Sequence, residues 1–195
     1  MNDKIIMFPN DRPVRADAIR NRELLLTTAS RMFAQQGVDA VTMSAIAQEA
    51  GVGKGTLYRH FSDKAELCHA LLDEAMRSFQ EETFKRLRQN SDPADTLRWF
   101  VTRVVHYVIE HNPLLVEAAA VGGGEMLRHP AHSWWRQTIL GLLQRLCTAH
   151  DASYLADVIY VMLDVRVINF QRETHGYSLD ELVEGLLGVL EPFLG

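Results

Sequence analysis

The sequence predicts an all-α fold of about nine helices, a three-helix head followed by a longer helical body. Apolar residues recur at helical spacing along nearly the whole chain, and alternating β-branched runs between paired turns do not appear. Glycine and proline punctuate those stretches, chiefly at their ends. With 195 residues, 47% of them apolar, the chain is long enough to bury a sizeable core.

Residues 1–15 carry Pro9, Pro13 and mixed charge, and are expected to form a flexible N-terminal arm. A helix begins near Asp17, with Leu25, Ala29, Met32 and Phe33 on one face, and Gly37 is its natural stop. Thr42 offers an N-cap hydroxyl to a second helix carrying Ile46, Ala47 and Ala50, which Gly51 ends. A third, short helix starts at Gly53 or Lys54 and stops near His60. Asp63 and Glu66 then have the spacing of a capping box for a helix from Lys64 to about Gln89. "SDP" at 91–93 supplies a cap and a first-turn proline for a helix through Glu110. "NP" at 112–113 and "GGG" at 122–124 mark two breaks. Pro130 opens a helix to about His150, and Ser153 or Tyr154 opens another reaching His175. Gly176 stops that helix, and Ser178 caps a last one ending near Phe193. The domains expected are a head at 16–62 and a body at 63–195.

Net charge is −5, so the chain as a whole is no basic nucleic-acid coat, but the charge is uneven. Residues 1–64 hold nine Lys/Arg against seven Asp/Glu, and residues 65–195 hold eleven against eighteen. An acidic body is repelled by a polyanion, whereas the head need not be. Cys68 and Cys147 lie far apart, with no CxxC pair, which suits a reducing compartment and gives no zinc site. The apolar start "KIIMF" is too short for a signal-peptide core, and no stretch reaches membrane-spanning length. A cytoplasmic protein with no membrane partner is expected, associated with the nucleoid when bound to DNA.

Residues 42–60 read as helix, tight glycine turn, helix, the motif whose second helix enters the DNA major groove. Within "GVGKGTLYRHF", Leu57 can pack inward with Val52, Ile46 and Ala47, leaving Lys54, Thr56, Tyr58, Arg59 and His60 outward. Lysine and arginine neutralise phosphate, while Thr, Tyr and His donate directional hydrogen bonds to it. The starts of the short helices add backbone N–H groups. Gly55 lets the backbone come close to DNA. A plain helical hairpin with a solvated basic face is the competing account.

Residues 22–67, "RELLLTTASRMFAQQGVDAVTMSAIAQEAGVGKGTLYRHFSDKAEL", resemble the N-terminal domain of the tetracycline-repressor (TetR/AcrR) family. The specific elements are the "F…G" end of the first helix, "T…IA…AGV", "KGTLY.HF" and the following "K..L". The resemblance covers about a quarter of the chain. It implies an all-helical homodimer with DNA-binding heads and a ligand-binding, dimerising body. Most such proteins are repressors that a small-molecule effector releases from a palindromic double-stranded operator. By position, the resemblance implies phosphate contacts from Thr42, Tyr58, His60 and Lys64. It places Lys54, Gly55 and Thr56 at the groove edge. Arg59 becomes a base or phosphate contact that varies between members. Gly53 departs from the family's usual serine cap, which costs only a few tenths of a kcal/mol.

In the body, Leu179, Leu182, Val183, Leu186, Leu190 and Phe193 share one helical stripe, and "VIYVMLDVRVINF" is apolar almost all round. With Val158, Met162 and Val165 they are the expected dimer interface, and a monomer core is the competing account. A dimer also suits the head, because paired recognition helices read half-sites ~34 Å apart or a multiple of it. In helix 93–110, Leu97, Val101, Val104 and Val108 form the inward stripe, with Trp99, Arg103, His106 and Glu110 opposite. The flank with Phe100, Val104, Tyr107 and His111 mixes apolar walls with polar tips, as ligand pockets do. Met126, Trp134, Trp135, Asn169 and Phe170 are further pocket candidates. Glu66 and His69 have an ExxH spacing, but a di-iron bundle needs two copies and two more glutamates. No cofactor or metal is expected. A DNA-site marker acting through protein partners keeps the fold without a ligand switch, and a helical-bundle enzyme is the remaining class.

Overall fold

The computed structural model describes residues 11–89, 92–120, 130–146 and 151–194. Among these residues the chain forms ten α-helices and no strand. It divides into two compact units with the boundary after Leu67.

In the first unit, α1 (Asp11–Gln36), α2 (Met43–Glu49) and α3 (Lys54–His60) pack together, and α4 (Lys64–Arg88) begins. α1 starts at Asp11, six residues before the expected start. Pro13 is no obstacle, because the first-turn N–H groups of a helix have no intrahelical partner. The expected face of Leu25, Ala29, Met32 and Phe33 is buried, and Ile46, Ala47, Leu57 and Phe61 close the core from the other side. The turn between α2 and α3 is short and specific. Gly51 takes φ 69°, and the Val52 amide donates back to Ala47 O at 3.0 Å. A Cβ at Gly51 would meet no neighbouring atom, so the backbone conformation, not space, requires glycine there. Arg31 pairs with Glu49 at 2.6 Å on the surface.

Asp63 Oδ1 accepts the Glu66 amide at 2.8 Å. The Glu66 carboxylate accepts from the amide of Ser62, one residue before the position a capping box uses.

The second unit is built around α5 (Pro93–Glu110), which packs against α6 (Asn112–Ala120), α7 (Pro130–Arg145), α9 (Val165–His175) and α10 (Leu179–Leu190). Asp92 caps α5 with Pro93 in its first turn. The expected stripe Leu97, Val101, Val104 and Val108 is buried. Opposite it, His106 and Glu110 are exposed and Trp99 and Arg103 half-buried. Arg103 pairs with Glu82 at 3.4 Å, and Trp99 is stacked by Arg86 at 5.0 Å.

As at the start of α1, where residues 11–15 of the expected arm are helical, a boundary in the body is corrected. The single helix from Ser153 or Tyr154 to His175 is two helices, α8 (Ala152–Met162) and α9, parted at Leu163 and Asp164. This break accounts for ten helices rather than nine. Asp164 caps α9 by accepting the Arg166 amide at 2.8 Å, and both its oxygens also hold the Arg166 side chain, each at 2.9 Å. A continuous apolar run disguised the break, because Asp164 looked like one polar residue inside a helix. α10 ends the body with a full capping box. Ser178 Oγ accepts the Glu181 amide at 3.3 Å, and Glu181 accepts the Ser178 amide at 2.8 Å. A 3₁₀ turn follows at Glu191–Phe193.

Asp164→Ala is expected to destabilise the fold by ~1 kcal/mol, lowering the thermal midpoint by roughly 2–4 °C. An unchanged midpoint in calorimetry would show that packing alone holds the α8–α9 break.

Candidate nucleic-acid interface

Leu57 sets the orientation of α3. It has no exposed surface, so the rest of this seven-residue helix is arranged around it. At about 100° per residue, Gly55 and Arg59 fall on the pole opposite Leu57, with Thr56 and Tyr58 on the flanks and Lys54 and His60 nearer the buried side. The burial agrees. Gly55, Tyr58 and Arg59 are exposed, and Thr56 and His60 are half-buried. Lys54 is exposed as well, because it stands at the free start of the helix. Tyr58 keeps 50% of its surface exposed, large for a residue on so short a packed helix.

Each expected contact residue has a definite setting. Thr42 is exposed and caps α2, its Oγ1 accepting the Ala45 amide at 3.2 Å. The hydroxyl hydrogen remains available for an acceptor. Gly53 is the N-cap of α3, with φ −67° and no side-chain cap bond. Its carbonyl accepts the Thr56 amide at 2.9 Å. Arg59 folds back along its helix. Its Nε donates to Gly55 O at 3.3 Å and its Nη2 to Thr56 Oγ1 at 3.0 Å. His60 lies beside the buried Phe61 ring, and Arg22 covers that ring at 5.4 Å. Lys64 is half-buried at the start of α4. The α2–α3 hairpin therefore presents two cations, Lys54 and Arg59, three hydroxyls, Thr42, Thr56 and Tyr58, and the His60 imidazole, and Lys64 follows at the start of α4.

In the body, five of the nine pocket candidates meet in one aromatic cluster centred on Phe79 of α4. Phe79 stacks on Phe100 at 5.4 Å and on Tyr107 at 6.1 Å, and meets Trp134 edge-on at 5.4 Å. Tyr107 touches Trp135 at 5.7 Å and His111 at 4.6 Å. Val104 is buried on the same helix. The Tyr107 hydroxyl donates to Leu72 O at 3.2 Å, and burial first, then Asp73 and Glu110, pushes its pKa well up. Burial holds the His111 imidazole below its ordinary value, against a weaker opposing pull from Glu110. Asn169 is not in the aromatic cluster proper and pairs with Asn112 at 2.5 Å. Phe170 stands apart, 56% exposed on α9 and edge-on to His175 at 5.3 Å. Met126 lies outside the described residues. Phe79 was missed because its role is a meeting of three helices that no single-helix pattern shows.

The expected dimer stripe divides. Val165, Leu182, Leu186 and Leu190 are buried inside the chain's own core. Leu179, Val183, Met162 and Phe193 are half-buried, and Val158 is exposed. The outward apolar residues of α8 and α10 are instead Tyr154 at 72% exposure, Val158, Val161 at 53%, and Val189. A groove of about 300 Å³ runs between the two helices, lined by Tyr154, Val158, Met162, Val189 and Phe193. Sequence reasoning passed over Tyr154 and Val161 because the run from Val158 is apolar almost all round, and Val189 because it lies off the Leu182, Leu186 and Leu190 stripe of α10.

A family model described as bacterial regulatory proteins, tetR family, matches residues 25–71. An HTH-type transcriptional regulator of Staphylococcus aureus is 27% identical over 181 residues, covering 90% of this chain and 95% of the relative. A TetR-family transcriptional regulator from Pectobacterium atrosepticum superposes with a TM-score of 0.68 at 24% identity, covering 92% of this chain and 95% of that one. A Thermus thermophilus TetR-family repressor, solved with lauroyl-CoA, gives 0.69 at 18% identity, covering 87% and 92%.

The depressed His111 pKa gives a signed expectation. The unfolded chain binds a proton near the ordinary imidazole value of 6.5, and the folded chain binds it only at a lower pH. Stability from this group is therefore present above that value and lost as pH falls below it. His111→Gln should flatten the slope of unfolding free energy between about pH 5 and 7, measured by denaturant titration.

Proposed function

We propose that this chain is a member of the TetR family of bacterial regulatory proteins and a repressor that a small apolar effector releases from a palindromic operator. The carrying observation is α3. Leu57 is buried without residue, and Lys54, Gly55, Tyr58 and Arg59 are exposed on one short helix beyond a glycine turn. That arrangement has a direct use on a duplex. Lys54 and Arg59 carry positive charge, and Thr42, Thr56, Tyr58 and His60 carry hydrogen-bond donors suited to phosphate. Lys64 adds a further cation at the start of α4.

The effector reading rests on the aromatic cluster. Phe79, Phe100, Tyr107, Trp134 and Trp135 offer apolar walls, and His111 and the Asn112–Asn169 pair offer neutral polar groups. The related repressor solved with lauroyl-CoA supports a small-molecule site in a body of this fold. α4 is a single helix that carries Phe79 in the cluster and begins with Lys64 beside the head motif. An effector that parts Phe79 from its neighbours acts on that helix. It shifts the DNA-binding equilibrium only as far as it binds the released state more tightly.

Dimerisation is assigned to the outward set on α8 and α10. Tyr154, Val158, Val161 and Val189 are apolar and exposed, and Gly185 and Gly188 have open space where a Cβ would stand. A two-fold pair of such faces places two heads on one palindrome.

Binding to a palindromic operator should weaken steeply with salt. Lys54→Ala should lower affinity across all sequences and reduce the log–log salt slope by about one. A salt-insensitive interaction would remove the head assignment. Val161→Asp should shift the chain from dimer to monomer in analytical ultracentrifugation and weaken operator binding with it. Trp134→Ala should leave operator affinity intact but abolish or weaken release by the effector that acts on the unmodified protein. An unchanged effector response would move the pocket away from the Phe79 cluster.

A further inference from the structure

We propose that Arg59 reads a guanine in the major groove, and that Thr56 is the positioning residue that aims it. This deepens the DNA-binding reading above and rests on it. Three observations carry it.

The first is angular. Arg59 and Gly55 both lie about 160° around α3 from Leu57, and Leu57 is completely buried. They therefore form the outermost ridge of the helix, the part that goes deepest when α3 enters a groove. Tyr58 and Thr56, at about 100°, face the groove's two walls, where the phosphates lie.

The second is axial. A helical side chain leans toward its helix N-terminus, and Arg59 does so far enough to donate to Gly55 O and Thr56 Oγ1. The guanidinium therefore stands over the first turn of α3, although its Cα is in the second. The leading turn of a recognition helix is the part that meets base edges. Gly55 leaves that space open: apart from its chain neighbours and the backbone of α3 itself, no atom lies within 4 Å of where its Cβ would be.

The third is the donor count. A guanidinium has five N–H groups in a rigid fork. The Nε hydrogen and one Nη2 hydrogen are held within α3. Among the described residues both Nη1 hydrogens and the second Nη2 hydrogen have no acceptor, so the end of the fork is open to a ligand and its rotation restricted. A base edge with two adjacent acceptors matches that end, and guanine O6 and N7 are such a pair. A phosphate on the groove wall is met more directly by the flanking Tyr58 and Thr56 than by the ridge.

The test begins with a randomised duplex library selected on the intact protein, followed by equilibrium binding of single-base variants. The expected consensus holds a guanine in each half-site whose replacement weakens binding by roughly 5- to 150-fold. With Arg59→Ala that penalty should vanish at the one position, while discrimination at the others stays. Arg59→Lys, which keeps the charge but loses the fork, should flatten the same position. Thr56→Val should reduce the guanine preference in part, without a matching loss of discrimination elsewhere. The proposal is overturned if the consensus has no such guanine. It also falls if Arg59→Ala weakens every sequence alike and lowers the salt slope by about one, which would place Arg59 on a phosphate. A wild-type protein that selects no sequence at all would overturn the DNA-binding reading itself along with the Arg59 assignment. Arg59 is exposed, so its variants are expected to fold, and circular dichroism of each confirms that the comparison is of binding.

Discussion

The burial of Leu57 is the constraint on which the DNA-facing surface depends. A seven-residue helix has too few hydrogen-bonded turns to be stable alone, so tertiary packing must hold α3. Leu57 is its one fully buried residue. That single anchor, together with the Gly51 turn and the cap at Gly53, determines which side chains face out. α3 packs on both α2 and α1, whose Ile46 and Ala47, and Leu25, Ala29 and Phe33, are buried in the same unit as Leu57. The face that meets DNA is thus a consequence of a hydrophobic contact on the opposite side of the same helix.

The body uses a different device. α5 lies against α6, α7, α9 and α10 and meets α4 through its aromatic flank, and its inward stripe is aliphatic. One flank of it is aromatic, where Phe100 and Tyr107 meet Phe79, Trp134 and Trp135. Phe79 stacks on Phe100 and Tyr107 while the tryptophans meet the cluster edge-on, and the polar tips of the rings add direction. The Tyr107 hydroxyl is tied to the α4 backbone, which couples the cluster to α4 by a hydrogen bond as well as by packing. The same unit shows how a helix end can hide in an apolar run. Asp164 is nearly buried, caps α9 and holds Arg166, so its charge is satisfied at the point where the chain changes direction.

Much of this protein was legible in order along the chain, where local chemistry decides. Gly37, Gly51 and Gly176 all take positive φ at helix ends, and Thr42, Asp92 and Ser178 cap the helices that follow them. The outward set on α3 was legible too, because Leu57 is the only large aliphatic side chain on that helix. The break at Asp164 was not, since an aspartate inside an apolar stretch carries the same local signal whether it caps a helix or faces water. The early start of α1 was also hidden, because Pro13 reads as a breaker unless the helix already begins before it.

By itself the sequence determined the helical fold class, the glycine turn and the set of residues available to grip a phosphate backbone. Those follow from backbone conformational limits and from periodicity, which act within a few residues. Tertiary structure alone decided three other things. It sent Leu182, Leu186 and Leu190 into the core, leaving Tyr154, Val158, Val161 and Val189 outside. It gathered Phe79 with aromatic residues from α5 and α7. It folded Arg59 back over Gly55 and Thr56. On a helix apolar all round, no residue marks the inward side, and only the neighbours it packs against choose that side.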